Sequence, residues 1–385
     1  MNPELLGTFT EPGYYEALAR LRREEPVRAY APSSWTVACY DDVRTVSRET
    51  EVFCSGRGVL LNDPLRHGVK IQGSILHMDP PEHVPWRALV SRRFTPKAVS
   101  SLEDRIRTVA RAVLAEVPEG TEIDFVDAVA APFPVLVIAE LLGIERGDRD
   151  QFRRWSDAAI ESPDQPEENL TDLAALFQFL IRHVELRRNQ PADDIASAVV
   201  HADVAGEPVT TREAVGYLLA LLVAGNETTR HLVSGSTQAL AEQPEQRALL
   251  ARDPARIANA VEECLRWVTP IQAFGRTATR ATRLHGRPIA EGDFVVMLYA
   301  SANRDEAAFG PSAGRFDVTR PVDAQHLAFG FGEHLCLGAA LARLEGRVFL
   351  EELLARFPDY VLTEEPELSR STLVRGATRM PVECR

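Results

Sequence analysis

Apolar residues recur every three to four positions along most of the chain, and this spacing predicts a mainly helical protein. Strands are predicted only over residues 34–40 and within 277–298, where the chain turns at His285-Gly286 and Glu291-Gly292. No repeat, low-complexity tract or Gly/Ser linker divides the chain, so we expect one large domain over residues 1–385. Helices are predicted over residues 96–117, 133–142, 148–160, 169–189, 211–242, 254–267 and 337–357.

The longest predicted helix, residues 211–242, should run through the interior of the protein. It begins with Thr210-x-x-Glu213, a capping-box pattern, and Pro244 limits where it can end. Its first half is apolar on nearly every face, which is typical of a buried helix. Residues 225–229 are mostly weak helix formers, which favours either a local break or a tolerated kink in a core helix.

Charge and composition exclude several kinds of partner. The chain carries 43 basic and 56 acidic residues, a formal net charge of −13, so we expect neither nucleic acid nor an anionic membrane as a partner. The most apolar run, residues 214–225, is shorter than the ~20 residues that span a bilayer. The five cysteines lack Cys-x-x-Cys spacing, and the first thirty residues contain no apolar block typical of a signal peptide. These features favour the reducing cytoplasm.

One cysteine stands at the entrance of a predicted helix. Cys336 follows a glycine-rich loop that begins at Phe329, and orphan N–H groups at a helix start favour a thiolate over a thiol. Glycines at 330, 332 and 338 allow a sharp turn or close approach to something flat, as a planar cofactor would need. Taken alone, a lone cysteine is more typical of a small buried apolar residue.

The spacing Phe-x-x-Gly-x-x-x-Cys-x-Gly, filled by Phe329, Gly332, Cys336 and Gly338, resembles the signature of the cytochrome P-450 family, the haem-thiolate monooxygenases. Three further segments agree in order and spacing: residues 79–87, residues 224–229, and Glu263-x-x-Arg266. The resemblance covers essentially the whole chain. It implies a mainly α fold with small β-sheets, a single domain with a long central helix over the haem, and haem b as the cofactor.

By this resemblance Cys336 is the axial iron ligand, and Phe329 and Gly338 belong to the loop that holds the cofactor. The haem propionates would be bound by His83, Arg87, Arg276 and His334. The alternatives are a solvated surface position for Arg87 and a satisfied core imidazole for His83. Glu263, Arg266 and Arg315 would form a structural network that braces the haem side.

The resemblance also implies oxygen activation, in which one atom of O2 enters a C–H bond and the other leaves as water. Thr228 and Glu227 would deliver the protons, unless Glu227 is only a solvent-facing helix carboxylate. The substrate would be apolar, a steroid or terpenoid or a natural-product intermediate. Its pocket would be lined by Val59, Leu60, Val223, Ala224, Ile271, Phe274 and Val374.

Electrons should come from a separate ferredoxin and its NAD(P)H-dependent reductase, because the sequence shows no Gly-x-Gly-x-x-Gly unit or flavin module. Arg343 is the first candidate for a basic docking face, with Arg92, Arg93 and Lys97 as additions or as scattered surface charge. Three other hypotheses remain: a peroxide-driven haem-thiolate oxidase, which the presence of Glu227 and Thr228 disfavours, a haem gas sensor or carrier, and a haem-free metal site. The metal site would be built from His326, His334 and Cys336.

Overall fold

Helices dominate the structure, a computed structural model that describes residues 9–67, 74–161 and 166–385. The mainly α prediction is therefore confirmed. The helices are α1 (Tyr14–Glu24), α2 (Tyr40–Arg48), α3 (His83–Ser91), α4 (Pro96–Ser100), α5 (Glu103–Ala115), α6 (Pro132–Leu142), α7 (Arg149–Glu161), α8 (Pro166–Asn189), α9 (Ile195–Val200), α10 (Thr211–Glu242), α11 (Pro244–Arg252), α12 (Ile257–Val268), α13 (Tyr299–Ala302), α14 (Glu306–Phe309) and α15 (Ala339–Arg356).

The strands are short and form small sheets beside the helices. They are β1 (Val27–Ala31), β2 (Ser34–Val37), β3 (Phe53–Cys54), β4 (Glu122–Asp124), β5 (Asp203–Val204), β6 (Glu207–Pro208), β7 (Ala273–Ala278), β8 (Thr282–Leu284), β9 (Arg287–Ile289), β10 (Phe294–Leu298), β11 (Tyr360–Leu362), β12 (Glu367–Leu368), β13 (Ala377–Arg379) and β14 (Pro381–Cys384). The largest sheet has the order β1-β2-β10-β7-β3, in which only β2 and β10 are parallel. A second sheet has the order β11-β14-β4, and the remaining strands form the hairpins β5-β6, β8-β9 and β12-β13.

Helix α10 is the central element and has the predicted bounds. Its capping box forms, because Glu213 N donates to Thr210 Oγ1 over 3.3 Å and Thr210 N donates to the Glu213 carboxylate over 2.9 Å. Its 32 residues span about 48 Å and pack against α6, α8, α12 and α15. The predicted local break is absent, since the helix continues unbroken through residues 225–229. There the Thr228 hydroxyl donates back to Ala224 O over 2.6 Å, so the threonine bonds within the helix.

Two other sequence predictions need correction. The helix expected over residues 96–117 is two helices, α4 and α5, because the chain bends at Ser101 and Leu102. The strand expected over residues 34–40 ends at Val37, and α2 begins at Tyr40, whose backbone N–H donates to Asp305 Oδ2 over 2.8 Å. In the described part of the chain, no helix combines the length and apolar character needed to cross a membrane.

Candidate active site

The loop before α15 has the sharp turns that its glycines predict. Gly330 and Gly332 have φ values of 69° and 74°, in the left-handed region. A Cβ atom at position 332 would also lie 2.8 Å from Ser47 O of α2, so only glycine fits there. Cys336 N donates to Phe329 O over 2.9 Å, and α15 begins three residues later. The cysteine therefore stands directly ahead of the helix, as the sequence predicts.

Cys336 is exposed, yet protein surrounds its thiol closely enough to shift its pKa, which is typical of a side chain in a recess. Burial in this recess raises the pKa of the thiol, while the Gly338 N–H and the charges of Arg87 and Arg343 lower it. Its sulfur is accessible within the recess, and the other cysteines of the chain are buried or partly buried. Cys336 is thus the cysteine placed to meet a ligand.

The four groups predicted to bind propionates converge on one edge of this recess. The His83 and His334 rings lie 4.5 Å apart, and Arg87 donates to Leu335 O over 2.6 Å. His334 Nε2 lies 3.0 Å from Ser55 Oγ. Burial, together with the charges of Arg276, His83 and Arg87, lowers the pKa of His334 to about 3. Arg87 and Arg276 therefore concentrate positive charge beside the two imidazoles.

This edge of the recess fits an anionic cofactor. Arg276 is buried, burial lowers the pKa of its guanidinium, and its Nε atom has no hydrogen-bond partner among the described residues. His83 is also buried, and its Nε2 has no partner in the same part of the chain. Buried cations and donors normally have paired acceptors, so two carboxylates such as the haem propionates match these groups. The simple core-imidazole interpretation of His83 leaves this nitrogen unexplained.

Two residues at the middle of α10 have accessible surface in a helix that is otherwise packed. Ala224 is exposed although Leu222 and Asn226 on either side of it are buried, which places a hollow against this turn of a helix that is otherwise packed. Thr228 lies one turn further along and is partly exposed. The Glu227 carboxylate is 20% exposed, so it is not a freely solvated surface group.

The predicted substrate-pocket residues divide into two groups. Leu60, Val223, Ile271 and Phe274 are partly exposed, and Ala224 is exposed, so their side chains are free to line a hollow. Val59 and Val374 are 0% and 1% exposed, and these two predictions are corrected because both side chains are enclosed in the core. Val59 instead contributes its backbone oxygen to Gly275 N, and Val374 forms a β-bridge with Ile271.

The predicted structural network forms with a different third member. Arg266 makes a bidentate pair with Glu263, with both N–O distances 2.7 Å, and both side chains are buried. Arg320 Nε completes the network at 3.0 Å from the second Glu263 oxygen. Arg315 is exposed and accepts a bond from Arg266 only through its backbone carbonyl. The assignment of Arg315 is therefore corrected to Arg320.

Arg343 is engaged within the protein. Its guanidinium makes two bonds to Glu262, of 2.6 and 3.0 Å, and its carbon lies 4.6 Å from the centre of the Phe329 ring. His326 Nε2 lies 3.2 Å from the same carboxylate. Arg343 thus braces the cysteine loop. In the described ranges no three His, Cys, Asp or Glu side chains form a metal-binding group, so a site of His326, His334 and Cys336 finds no support.

Several polar residues of the site were not foreseen from the sequence. Asp79 accepts from the N–H groups of Ser55 and Gly56, at 2.7 and 2.8 Å, and holds the segment that contacts His334. Glu345 of α15 and His231 of α10 are buried close to the central motif. Asp79 lies in the matching segment 79–87 but was given no role there, and His231 lies four residues after Glu227 on the same helix face, whereas Glu345 had no sequence signal.

Comparisons with known proteins agree with this geometry. The cytochrome P450 family matches residues 165–372. The chain is 39% identical over 378 residues to "Cytochrome P450 109" of Bacillus spizizenii, with 94% of this chain and 90% of the relative covered. It is 38% identical over 392 residues to the erythromycin C-12 hydroxylase of Saccharopolyspora erythraea, with 98% and 96% covered.

The fold agrees with solved structures as well. A Mycobacterium marinum cytochrome P450, CYP268A2 in complex with pseudoionone, superposes with a TM-score of 0.89 at 34% identity, with 99% of this chain and 97% of that chain covered. The site has the cysteine loop, the cationic recess and the long helix that haem binding requires. The chain belongs to the cytochrome P450 family, as a monooxygenase that binds haem b through a cysteine thiolate.

Proposed function

We propose that this P450 hydroxylates an apolar organic substrate, a steroid or terpenoid or a natural-product intermediate, with electrons from a ferredoxin. The observation that carries the proposal is the exposure of Ala224 in an otherwise packed turn of α10, beside the motif Glu227-Thr228. Five free cysteines support a reducing compartment such as the cytoplasm as its location.

The residues around the recess would bind the haem at its iron and at its two propionates. Cys336 provides the thiolate, and His83, Arg87, Arg276 and His334 bind the two propionates. A thiolate-ligated haem supplies the electron-rich iron that favours O–O cleavage. The protein has to orient the substrate against the haem, exclude water from the site and supply protons there.

Proton supply would pass through Thr228 and Glu227. The Thr228 hydroxyl donates its hydrogen to Ala224 O, so its oxygen lone pairs stay free to accept a hydrogen bond from the hollow. Glu227, the preceding residue, is partly exposed and can exchange protons between solvent and a water molecule held at Thr228.

The substrate class follows from the side chains that remain open. Leu60, Val223, Ile271 and Phe274 present apolar surface and no charge, so an apolar molecule gains free energy by displacing water from them. Among the relatives, one is named for hydroxylation of erythromycin and one structure contains pseudoionone. Both names support an apolar organic substrate.

A spin-state titration tests the substrate proposal. Steroids, terpenoids and macrolides are added to the haem-loaded protein, and compounds that bind should shift the Soret spectrum and then be oxidised when ferredoxin, reductase and NAD(P)H are supplied. Replacing Val223 by Phe should weaken the binding of a hit, whereas Leu170→Ala, on exposed surface of α8, should not. Oxidation with peroxide but not with ferredoxin would contradict the electron source, and binding without turnover would indicate a sensor or carrier.

A basic face suited to an acidic ferredoxin lies near the cysteine loop. A hollow of about 630 Å³ beside the proposed propionate ligands His83 and Arg87 is also lined by Arg48, which is exposed. Arg92 and Lys97 are exposed, and no carboxylate of the described ranges lies within ion-pair distance of them. Arg343 and Arg93 are paired with Glu262 and Asp193. Arg48, Arg92 and Lys97 are therefore better candidates than Arg343.

Rapid-mixing kinetics test this face. Arg92→Glu and Lys97→Glu should slow haem reduction by a ferredoxin roughly tenfold at low salt, and the difference should shrink as ionic strength rises. Arg212→Glu, an exposed arginine at the start of α10, is the matched control and should reduce normally. Equal slowing in all three variants would point to net charge and would contradict a specific face.

A further inference from the structure

His231 is a buried imidazole next to the proposed proton donor. It lies on α10 one turn after Glu227, is fully buried, and has its Nε2 atom 3.8 Å from Glu227 Oε1. Neither ring nitrogen has a hydrogen-bond partner among the residues that the structure describes. An imidazole that is buried without any bond costs free energy, which requires a compensating role.

The protein makes room for this ring with a glycine. A Cβ atom at Gly376 would lie 1.9 Å from His231 Nδ1 and 2.3 Å from Cγ, so no other residue fits against the ring. Gly376 directly precedes β13 and has no positive φ angle, so its lack of a side chain serves the ring and not a backbone turn. The imidazole is therefore confined between Glu227 and the C-terminal segment.

Burial favours the neutral form of the ring. It lowers the pKa of His231, the neighbouring Glu227 opposes this effect, and the charge of Arg230 adds a smaller lowering. A neutral imidazole carries one N–H, which can point at the Glu227 carboxylate, and a small rotation of the Glu227 side chain closes 3.8 Å to hydrogen-bond distance.

We propose that His231 is a positioning residue for Glu227: its Nε2–H holds the carboxyl group beside Thr228 at the edge of the hollow, and Gly376 keeps the ring in place. The inference rests on the proposed proton supply through Glu227. It adds a residue that holds the proton donor, because the Glu227 carboxyl group must return to one position in each turnover.

The contact between Gly376 and His231 also links the proton path to the substrate side of the pocket. Gly376 follows the segment whose Val374 forms a β-bridge with Ile271, and Arg375 N donates to Pro270 O over 3.0 Å. A substrate that moves Ile271 thereby acts on the segment that confines His231. Binding of a well-fitting substrate should stabilise the working position of Glu227.

The test compares two replacements of His231 in the haem-loaded protein, with a hit from the spin-state titration as substrate. Phe keeps a flat ring and removes the donor, whereas Gln places an amide N–H near the position of Nε2. His231→Phe should leave substrate Kd unchanged, lower the product formed per NAD(P)H consumed roughly tenfold, and raise the solvent isotope effect on turnover. His231→Gln should restore most of the coupling. Equal losses in the two variants, or no loss in the Phe variant, would overturn the proposal.

A double variant separates this inference from the function on which it rests. If His231 acts through Glu227, Glu227→Gln combined with His231→Phe should be no less coupled than Glu227→Gln alone. Full coupling in Glu227→Gln would refute the proton path itself. A coupling loss in Glu227→Gln with none in His231→Phe would refute only the role of the histidine.

Gly376→Ala gives an independent readout should the Phe variant not take up haem. Its methyl group displaces the ring, so it should uncouple turnover while Cys336 ligation and the reduced carbon-monoxide spectrum stay normal. In a chain that already carries His231→Ala, Gly376→Ala should cause no further loss of coupling, because the ring that its methyl group displaces is absent. Normal coupling in Gly376→Ala with the ring present would contradict the proposal.

Discussion

Glu345 should make the stability of the protein fall as pH rises, and Glu345→Gln should remove that effect. Glu345 lies on α15, is 3% exposed, and has one weak bond, from Thr229 Oγ1 at 3.4 Å. No cation of the described chain forms an ion pair with it. Burial therefore raises the pKa of its carboxyl group from 4.5 to about 8, against a small lowering by Thr229.

The sign and the size follow from proton linkage. Between about pH 4.5 and pH 8 the unfolded chain has lost this proton while the folded chain keeps it, so the free energy of unfolding decreases as pH rises. Above about pH 8 both states are ionised and the loss is complete. A pKa difference of this size corresponds to about 5 kcal/mol as an upper limit, because water entry or local relaxation would reduce it.

Urea unfolding followed by circular dichroism, at pH values from 5 to 9, measures this effect. The glutamine variant should match the wild type near pH 5 and become more stable by several kcal/mol at pH 9. Glu351→Gln, on the same helix but partly exposed and 2.6 Å from Arg107, should not show this widening. A difference between wild type and Glu345→Gln that stays constant across the range would refute the reasoning.

Three further predictions concern single side chains. Thr228→Ala should divert electrons from product to peroxide while substrate Kd stays unchanged, measured as peroxide formed per NAD(P)H; full coupling would refute the relay. Arg320→Leu should lower the free energy of unfolding by about 2–4 kcal/mol, because Glu263 loses a buried partner. Arg315→Leu should change it by no more than about 0.5 kcal/mol. Equal urea midpoints for the two variants would contradict the corrected network. Arg276→Leu should speed haem transfer to an acceptor protein roughly tenfold and stabilise the apoprotein; unchanged haem retention would exclude a propionate contact.

Elements with local signals could be predicted from the sequence. Helix α10 has its predicted bounds because Thr210, Glu213 and Pro244 act within one or two turns of its ends. Helix α2 was missed because its start depends on Asp305, 265 residues away in sequence. No local pattern reports a partner at that distance.

In the candidate site, too, local sequence features could be predicted and contacts made only on folding could not. The cysteine loop was predictable because its spacing and glycines are contiguous in sequence. The third member of the Glu263 network was not, since Arg315 and Arg320 are both near in sequence and only folding decides which one reaches the carboxylate. Val59 was misassigned for a similar reason, because apolar character does not tell a core residue from a pocket wall.

The central claim is that the sulfur of Cys336 binds the haem iron. The most direct measurement is the absorption spectrum of the reduced, carbon-monoxide-treated protein, compared with Cys336→Ser and with Cys264→Ser as a matched buried cysteine. The wild type and Cys264→Ser should show the red-shifted Soret band of a thiolate-ligated haem, and Cys336→Ser should lose it. The same red-shifted band in Cys336→Ser would contradict the claim.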